Sequence, residues 1–213
     1  MSVSLRKGQG VSLRKNEYDL SSVTIGLGWD INEEKKGFLG SVFGKKEEEY
    51  DLDVIAFLCN AQGKVTDLGD RENGKPTLIN GDIIFFNSLQ HKSGNIWLTG
   101  DNRTGAGDGD DEQIIVKLNA LEPRYEKIVF IVQIYNGERL KQHFGKVKNA
   151  FIRAVDARNI EMARFDLSGG AAFTNQCSML FAELVREPDG WKLNALGEPS
   201  ASDTFVTHLK SYI

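Results

Sequence analysis

Cysteine, histidine and proline are all scarce here, with two, three and four residues respectively in 213. Each scarcity excludes something. Cys59 and Cys177 lie inside apolar runs, "AFLCNA" and "NQCSMLF", and could make one disulfide at most, which is no basis for a disulfide scaffold. The opening "MSVSLRKGQG" has no apolar h-region, so no signal peptide is read there, and two buried, reduced thiols in a cytoplasmic protein are expected. His91, His143 and His208 stand apart from one another, with no Cys or His at zinc spacing, and are read as surface side chains. No apolar run approaches the ~18 residues of a membrane span, so no transmembrane segment is expected. Nor does charge of one sign dominate. The formal net charge is −4, which gives no general pull toward nucleic acid.

Familiar catalytic signatures are missing as well. "GLGWDI" has Ile31 where a dinucleotide fingerprint needs its third glycine. "GSVFGKK" is one residue short of a phosphate loop and has Lys46 in place of Ser or Thr. Neither a GxSxG elbow nor an HExxH pair occurs.

What remains is a series of short apolar runs divided by Gly, Asn and Asp turns, the pattern of an antiparallel sandwich or barrel. Strands are expected at 10–15, 22–30, 50–60, 81–87, 95–100, 111–121, 127–136, 161–167, 178–187 and 190–196. "REPDGWK" reads as the hairpin turn between the last two. Phe85, Phe86, Phe130 and Phe181 fall in these runs and are assigned to the core. The tail 200–213 has helical spacing of Phe205, Val206, Leu209 and Ile213 behind a Ser or Asp cap. The stretch 138–155 reads as helix from Leu140, Phe144, Val147 and Phe151, although its second half also alternates like a strand. "SVSLRKG" echoes in "GVSLRKN", as two short edge strands joined in a hairpin would. No linker divides the chain, so one domain over 1–213 is expected, carrying a long insertion at 32–49.

The charge is local. "GDNRTGAGDGDDE", residues 100–112, holds five carboxylates and four glycines. Two like unit charges ~5 Å apart repel by about 3 kcal/mol at an effective dielectric of ~20, so such a loop must stay open in water or hold a cation. Asp101, Asn102, Thr104, Asp108, Asp110, Asp111 and Glu112 present oxygen donors only, which suits Ca2+ rather than Zn2+ or Cu. The EF-hand template fails, because Arg103 stands where an acid belongs and Ala106 where the turn needs Gly. "YDLDVIAFL" sets Asp51 and Asp53 on one face of a strand beside a run too apolar to be exposed, and "GLGWD" ends a strand with Asp30. Carboxylates there are costly unless paired or metal-bound. Together the acids suffice for two Ca2+ ions.

"VTIGLGWD", "DLDVIAFL", "DIIFFN", "TGDNRTGAGDGDDEQIIVKL", "KIVFIVQIYN", "FGKVKNAFIRAVD" and "FAELVREPDGWKLNALG" run in an order that resembles the TerD family of bacterial tellurite-resistance and stress-response proteins. The resemblance implies a β-sandwich of two mainly antiparallel sheets with short helices, one of them C-terminal, and calcium sites at one end formed by the acidic motifs. It also implies strand rather than helix at 148–157. Residues 32–49 are longer than the usual connection before the DLD motif, which suggests a TerX-like branch. The implied function is a non-enzymatic calcium-dependent interaction module, its partners other proteins of the resistance system at the inner face of the membrane. A metal-dependent phosphoryl hydrolase using the same acids is the alternative, although no His or Lys accompanies them as general acid. Tellurite binding at Cys59 and Cys177 is not expected. Within the insertion, Phe38, Leu39, Val42 and Phe43 lie between paired lysines, an arrangement suited to contact with a partner or an anionic membrane surface.

Overall fold

The computed structural model describes residues 2–31, 50–99, 110–167 and 173–213. Fourteen strands and two short helices are assigned among these. The strands are β1 (Val3–Leu5), β2 (Gly10–Arg14), β3 (Val23–Ile31), β4 (Leu52–Cys59), β5 (Arg71–Glu72), β6 (Lys75–Pro76), β7 (Ile83–Ile84), β8 (Ile96–Thr99), β9 (Glu112–Val116), β10 (Lys127–Ile134), β11 (Val147–Val155), β12 (Glu161–Leu167), β13 (Ser178–Glu187) and β14 (Gly190–Ser200). The helices are α1 (Gly137–Leu140) and α2 (Phe205–Leu209). One six-stranded sheet runs β1-β12-β11-β3-β9-β8 and a second β2-β14-β13-β10-β4-β7, while β5 and β6 form a small ribbon.

The two sheets face each other across one core. β3 contributes Val23, Ile25 and Leu27 from the first sheet, and β4 contributes Leu52, Val54, Ala56 and Leu58 from the second. The alternate residues of β4, Ile55, Phe57 and Cys59, point the other way into a second cluster. Phe205 and Leu209 of α2 and Val65, Ile83 and Phe85 from the 61–94 excursion close that cluster. All eight residues of β4 are therefore buried. A strand covered on both faces reads as a continuous apolar run, as "DVIAFLC" does.

Several sequence expectations change. Helical periodicity at 138–155 survives only as the one-turn α1 and a 3-10 turn at Phe144–Lys146. From Val147 the chain is β11, which buries Val147, Ile152 and Ala154. An irregularity between Lys148 and Phe151, with Asn149 at φ 52°, shifts the strand's register and imitates helical spacing. The echoed segments are both edge strands, as expected, but they join different sheets. β1 pairs parallel with β12 and β2 antiparallel with β14, so they form no hairpin. The Pro-Asp-Gly turn does close a hairpin, with Glu187 opposite Gly190. At the C-terminus the cap is Thr204, whose side chain accepts from the Val206 amide. Cys59 and Cys177 are buried and free, and burial pushes their thiols up to about 12 and about 11. Phe85, Phe130 and Phe181 are core residues, whereas Phe86 is 37% exposed and packs its edge on Tyr135.

Candidate metal centre

At one end of the sandwich β3 finishes while β4 and β9 begin. The antiparallel register of β3 and β9 sets Leu27 opposite Glu112, and the carboxylate of Glu112 reaches β4 at Val54. Topology thus delivers Asp30, Asp51 and the run Asp110–Glu112 to the same end, although they are far apart in sequence.

Three consecutive carboxylates leave that run in three directions. Glu112 occupies an inward position of β9, in line with Ile114 and Val116, and is only 2% exposed. Its Oε2 accepts from the Val54 amide at 2.6 Å, a bond from one sheet to the other. Asp111 turns along its own sheet and accepts from the Trp29 amide at 3.0 Å, while its own amide donates to the Leu27 carbonyl. Asp110 lies on the outer face of the first sheet. Its Oδ1 accepts from Arg153 Nε at 2.7 Å and its Oδ2 from Gln113 Nε2 at 3.3 Å.

The remaining expected donors are distributed less simply. Asp51 stands just before β4, its carbonyl accepting from the Tyr135 amide at 2.8 Å. Asp53 is buried on the opposite side of β4 from the inter-sheet core, because successive side chains alternate and Leu52 and Val54 point inward. There it accepts from Gln133 Nε2 at 3.0 Å, and Gln133 Oε1 accepts from the Phe205 amide at 2.8 Å. Asp53 therefore supports the first turn of α2. Asp30 sits at the end of β3 opposite Lys148. Asp101, Asn102, Thr104 and Asp108 lie outside the described residues, as do Phe38, Leu39, Val42 and Phe43. Among the described residues no three acidic, His or Cys side chains form a group able to hold a metal. The donors that are placed at this end, Asp51, Asp111 and Glu112, are hard oxygens, the chemistry Ca2+ requires.

Sequence reading misses the partners of these acids. Arg153 lies 43 positions from Asp110 and meets it only because β11 and β9 flank β3, which aligns Arg153 and Gln113 with Gly26. It also misses a second buried carboxylate. Asp82 is fully buried and accepts from Tyr125 Oη at 2.6 Å, from the Asp67 amide at 3.0 Å and from Thr66 Oγ1 at 3.2 Å. Far from being a surface side chain, His91 is 1% exposed, with Nε2 at 3.4 Å from Asp82 and Nδ1 at 2.7 Å from Ser93 Oγ. Burial alone would raise the Asp82 pKa, but bonds from His91, Tyr125 and the Asp67 amide outweigh it and hold it at about 2. A carboxylate directly before the apolar run "IIFF" was the available signal, the same signal that marks Asp51 and Asp53. His208 is likewise engaged, with Nε2 at 2.9 Å from Ser178 Oγ.

Fold and acidic end together define a β-sandwich in which the buried Glu112 ties the two sheets beside a run of acids. The chain belongs to the TerD domain family, which it matches over residues 1–212. It is 84% identical to the tellurium resistance protein TerX of Serratia marcescens over the full length of both chains. It is 42% identical to the tellurium resistance protein TerD of an Alcaligenes species, covering 92% of this chain and 90% of that one. General stress protein 16U of Bacillus subtilis is 37% identical over the same shares. In fold it is similar to a crystallised homologue of a telluride resistance protein from Streptomyces coelicolor, with TM-score 0.60 at 19% identity, covering 91% of this chain and 98% of that one.

Proposed function

We propose that this chain is a non-enzymatic Ca2+-binding protein of a bacterial tellurite-resistance and general stress response. It works as a calcium-dependent interaction module. The names of its relatives support the resistance and stress setting. One observation carries the calcium reading. Glu112, a carboxylate 2% exposed, takes a core position and ties the two sheets at the end where Asp51 and Asp111 also stand. A carboxylate at that depth is costly unless hydrogen bonds and positive charge offset it, and a bound cation would supply such charge. Asp111 and Glu112 would contribute donors from β9 and Asp51 from the start of β4, with Asp30, Asp101, Asn102, Thr104 and Asp108 completing two sites. Bound Ca2+ would supply charge neutralisation and cross-linking of the loops.

Within this reading the insertion at 32–49 is the contact element for other proteins of the system, at the inner face of the membrane. Among the described residues no helix is long and apolar enough to cross one. Melting of the purified protein with excess Ca2+ and then with chelator tests the proposal. A ligand at ~100 times its dissociation constant adds about 2.7 kcal/mol, so the two melts should differ by several degrees. Identical melts would remove the calcium reading. Exchanging Phe38 and Phe43 for Ser should leave melting intact and abolish association with anionic vesicles or with partner proteins. Metal-dependent turnover of phosphoesters, lost in Asp108→Ala, would instead favour a hydrolase.

A further inference from the structure

The Asp110 side chain is 1% exposed, and both of its oxygens receive N–H donors, one of them from a full positive charge. The carboxylate lies flat against β3 at Gly26, where any Cβ would run into it. Only a glycine leaves room for that approach. Arg153 is held from its other side too, with Nη1 3.3 Å from Glu161 Oε2, and Glu161 is fixed in turn by Ser2 Oγ at 2.7 Å. The guanidinium therefore cannot swing away without breaking a second ion pair. A divalent cation brought to Asp110 would meet that guanidinium at close range, and like charges repel most where water is excluded.

We propose that Asp110 is the anchor of the calcium end rather than one of its donors, and that Arg153 is the positioning residue that holds it there. The inference rests on the calcium reading above and specifies how the site is built. Clamping Asp110 to β11 fixes the chain at the point where it enters β9. The next two residues, Asp111 and Glu112, then present their carboxylates along one sheet and across to the other. Arg153 acts through Asp110 on those donors and touches no metal itself. The arrangement matches a general rule for metal sites, in which groups that bond to neighbouring residues set the geometry of the ligands and change affinity when removed.

Calcium titration calorimetry and chelator melts on the full chain, for the native protein, Arg153→Met, Asp110→Asn and the double variant, test this. Both single variants should bind the native number of ions with affinity about tenfold weaker. Loss of an ion in Asp110→Asn, or native affinity in Arg153→Met, would overturn the assignment, since the first makes Asp110 a ligand and the second makes Arg153 irrelevant. In chelator the double variant should melt close to the less stable single variant, because the two residues act as one pair. Additive shifts there would show that the clamp does not exist, whatever calcium does. A native protein that takes up no calcium while the chelator cycle stays non-additive would instead defeat the calcium reading itself, and the positioning role with it.

Discussion

Two buried carboxylates can be set side by side in this molecule, Asp82 and, at the β3–β4–β9 end, Glu112 with the half-buried Asp111 beside it. Asp82 is surrounded by donors from its own neighbourhood: a tyrosine hydroxyl, a threonine hydroxyl, an imidazole and a backbone amide, with the Arg124 guanidinium at 4.0 Å. One negative charge meets a ring of donors with one guanidinium beside it. At the other end Asp111 and Glu112 stand in succession, each bonded to a backbone amide, with Asp51 just before β4 and a run of further acids preceding them in sequence. Burial of an acid is thus common to a structural clasp and, on the calcium reading proposed above, to a site where a bound cation would add countercharge.

The largest expected effect lies on the clasp side. Replacing Asp82 by Ala should strand the Tyr125 hydroxyl, His91 and the Asp67 amide in a dry site, at a cost of roughly 3 kcal/mol. For a chain of this size that lowers the melting temperature by roughly 6–12 °C. Calcium affinity, measured by calorimetry on the folded variant, should be native. A variant that melted normally but lost calcium would reverse the two assignments. Next comes Glu112→Gln, which keeps the shape and an acceptor for the Val54 amide but removes the charge. In chelator it should cost no more than about 1.5 kcal/mol, while the added stability from Ca2+ largely disappears.

Acid titration sharpens the contrast. The folded pKa of Asp82 is depressed to about 2, so its contribution is present above the unfolded value near 4 and is lost as pH falls from there through the folded one. That is worth roughly 2 kcal/mol. Calcium-dependent stability should also weaken on acidification, because protons and metal compete for the same carboxylate oxygens. Melts recorded from neutral pH downward with and without Ca2+ separate the calcium increment from the loss at Asp82. The smallest effect concerns α2. Burial lowers the His208 pKa, so its neutral form is favoured in the fold, and stability falls as pH drops below the unfolded value of ~6.5. Hydrogen exchange at the Phe205 amide, corrected for intrinsic rate, should quicken between pH 7.5 and pH 5.5, and a His208→Asn variant should lose that pH dependence.

Much of the fold was legible because it is written locally. The Pro-Asp-Gly turn announces the β13–β14 hairpin, and the unbroken apolar run of β4 announces a strand covered on both faces. Where two periods overlapped, as at Val147 and Phe151, a register shift at Asn149 decided between helix and strand, and no neighbouring residue signals it. Of the candidate site, the acids were visible as charge beside apolar sequence. Their partners were not. Arg153 reaches Asp110 across two strand pairings, and His91 is buried because a long excursion folds back over Asp82. Asp53 illustrates a third limit. Alternation gave it a face, but only packing could tell that Gln133 and the first turn of α2 meet it there.

Titration of Ca2+ into metal-free protein at neutral pH, followed by calorimetry, addresses the central claim most directly. Saturable binding of two ions per chain is expected, at native strength in Asp82→Asn and at least tenfold weaker in Glu112→Gln. No binding heat together with an unchanged melt, or equal affinity in native protein and Glu112→Gln, would contradict it.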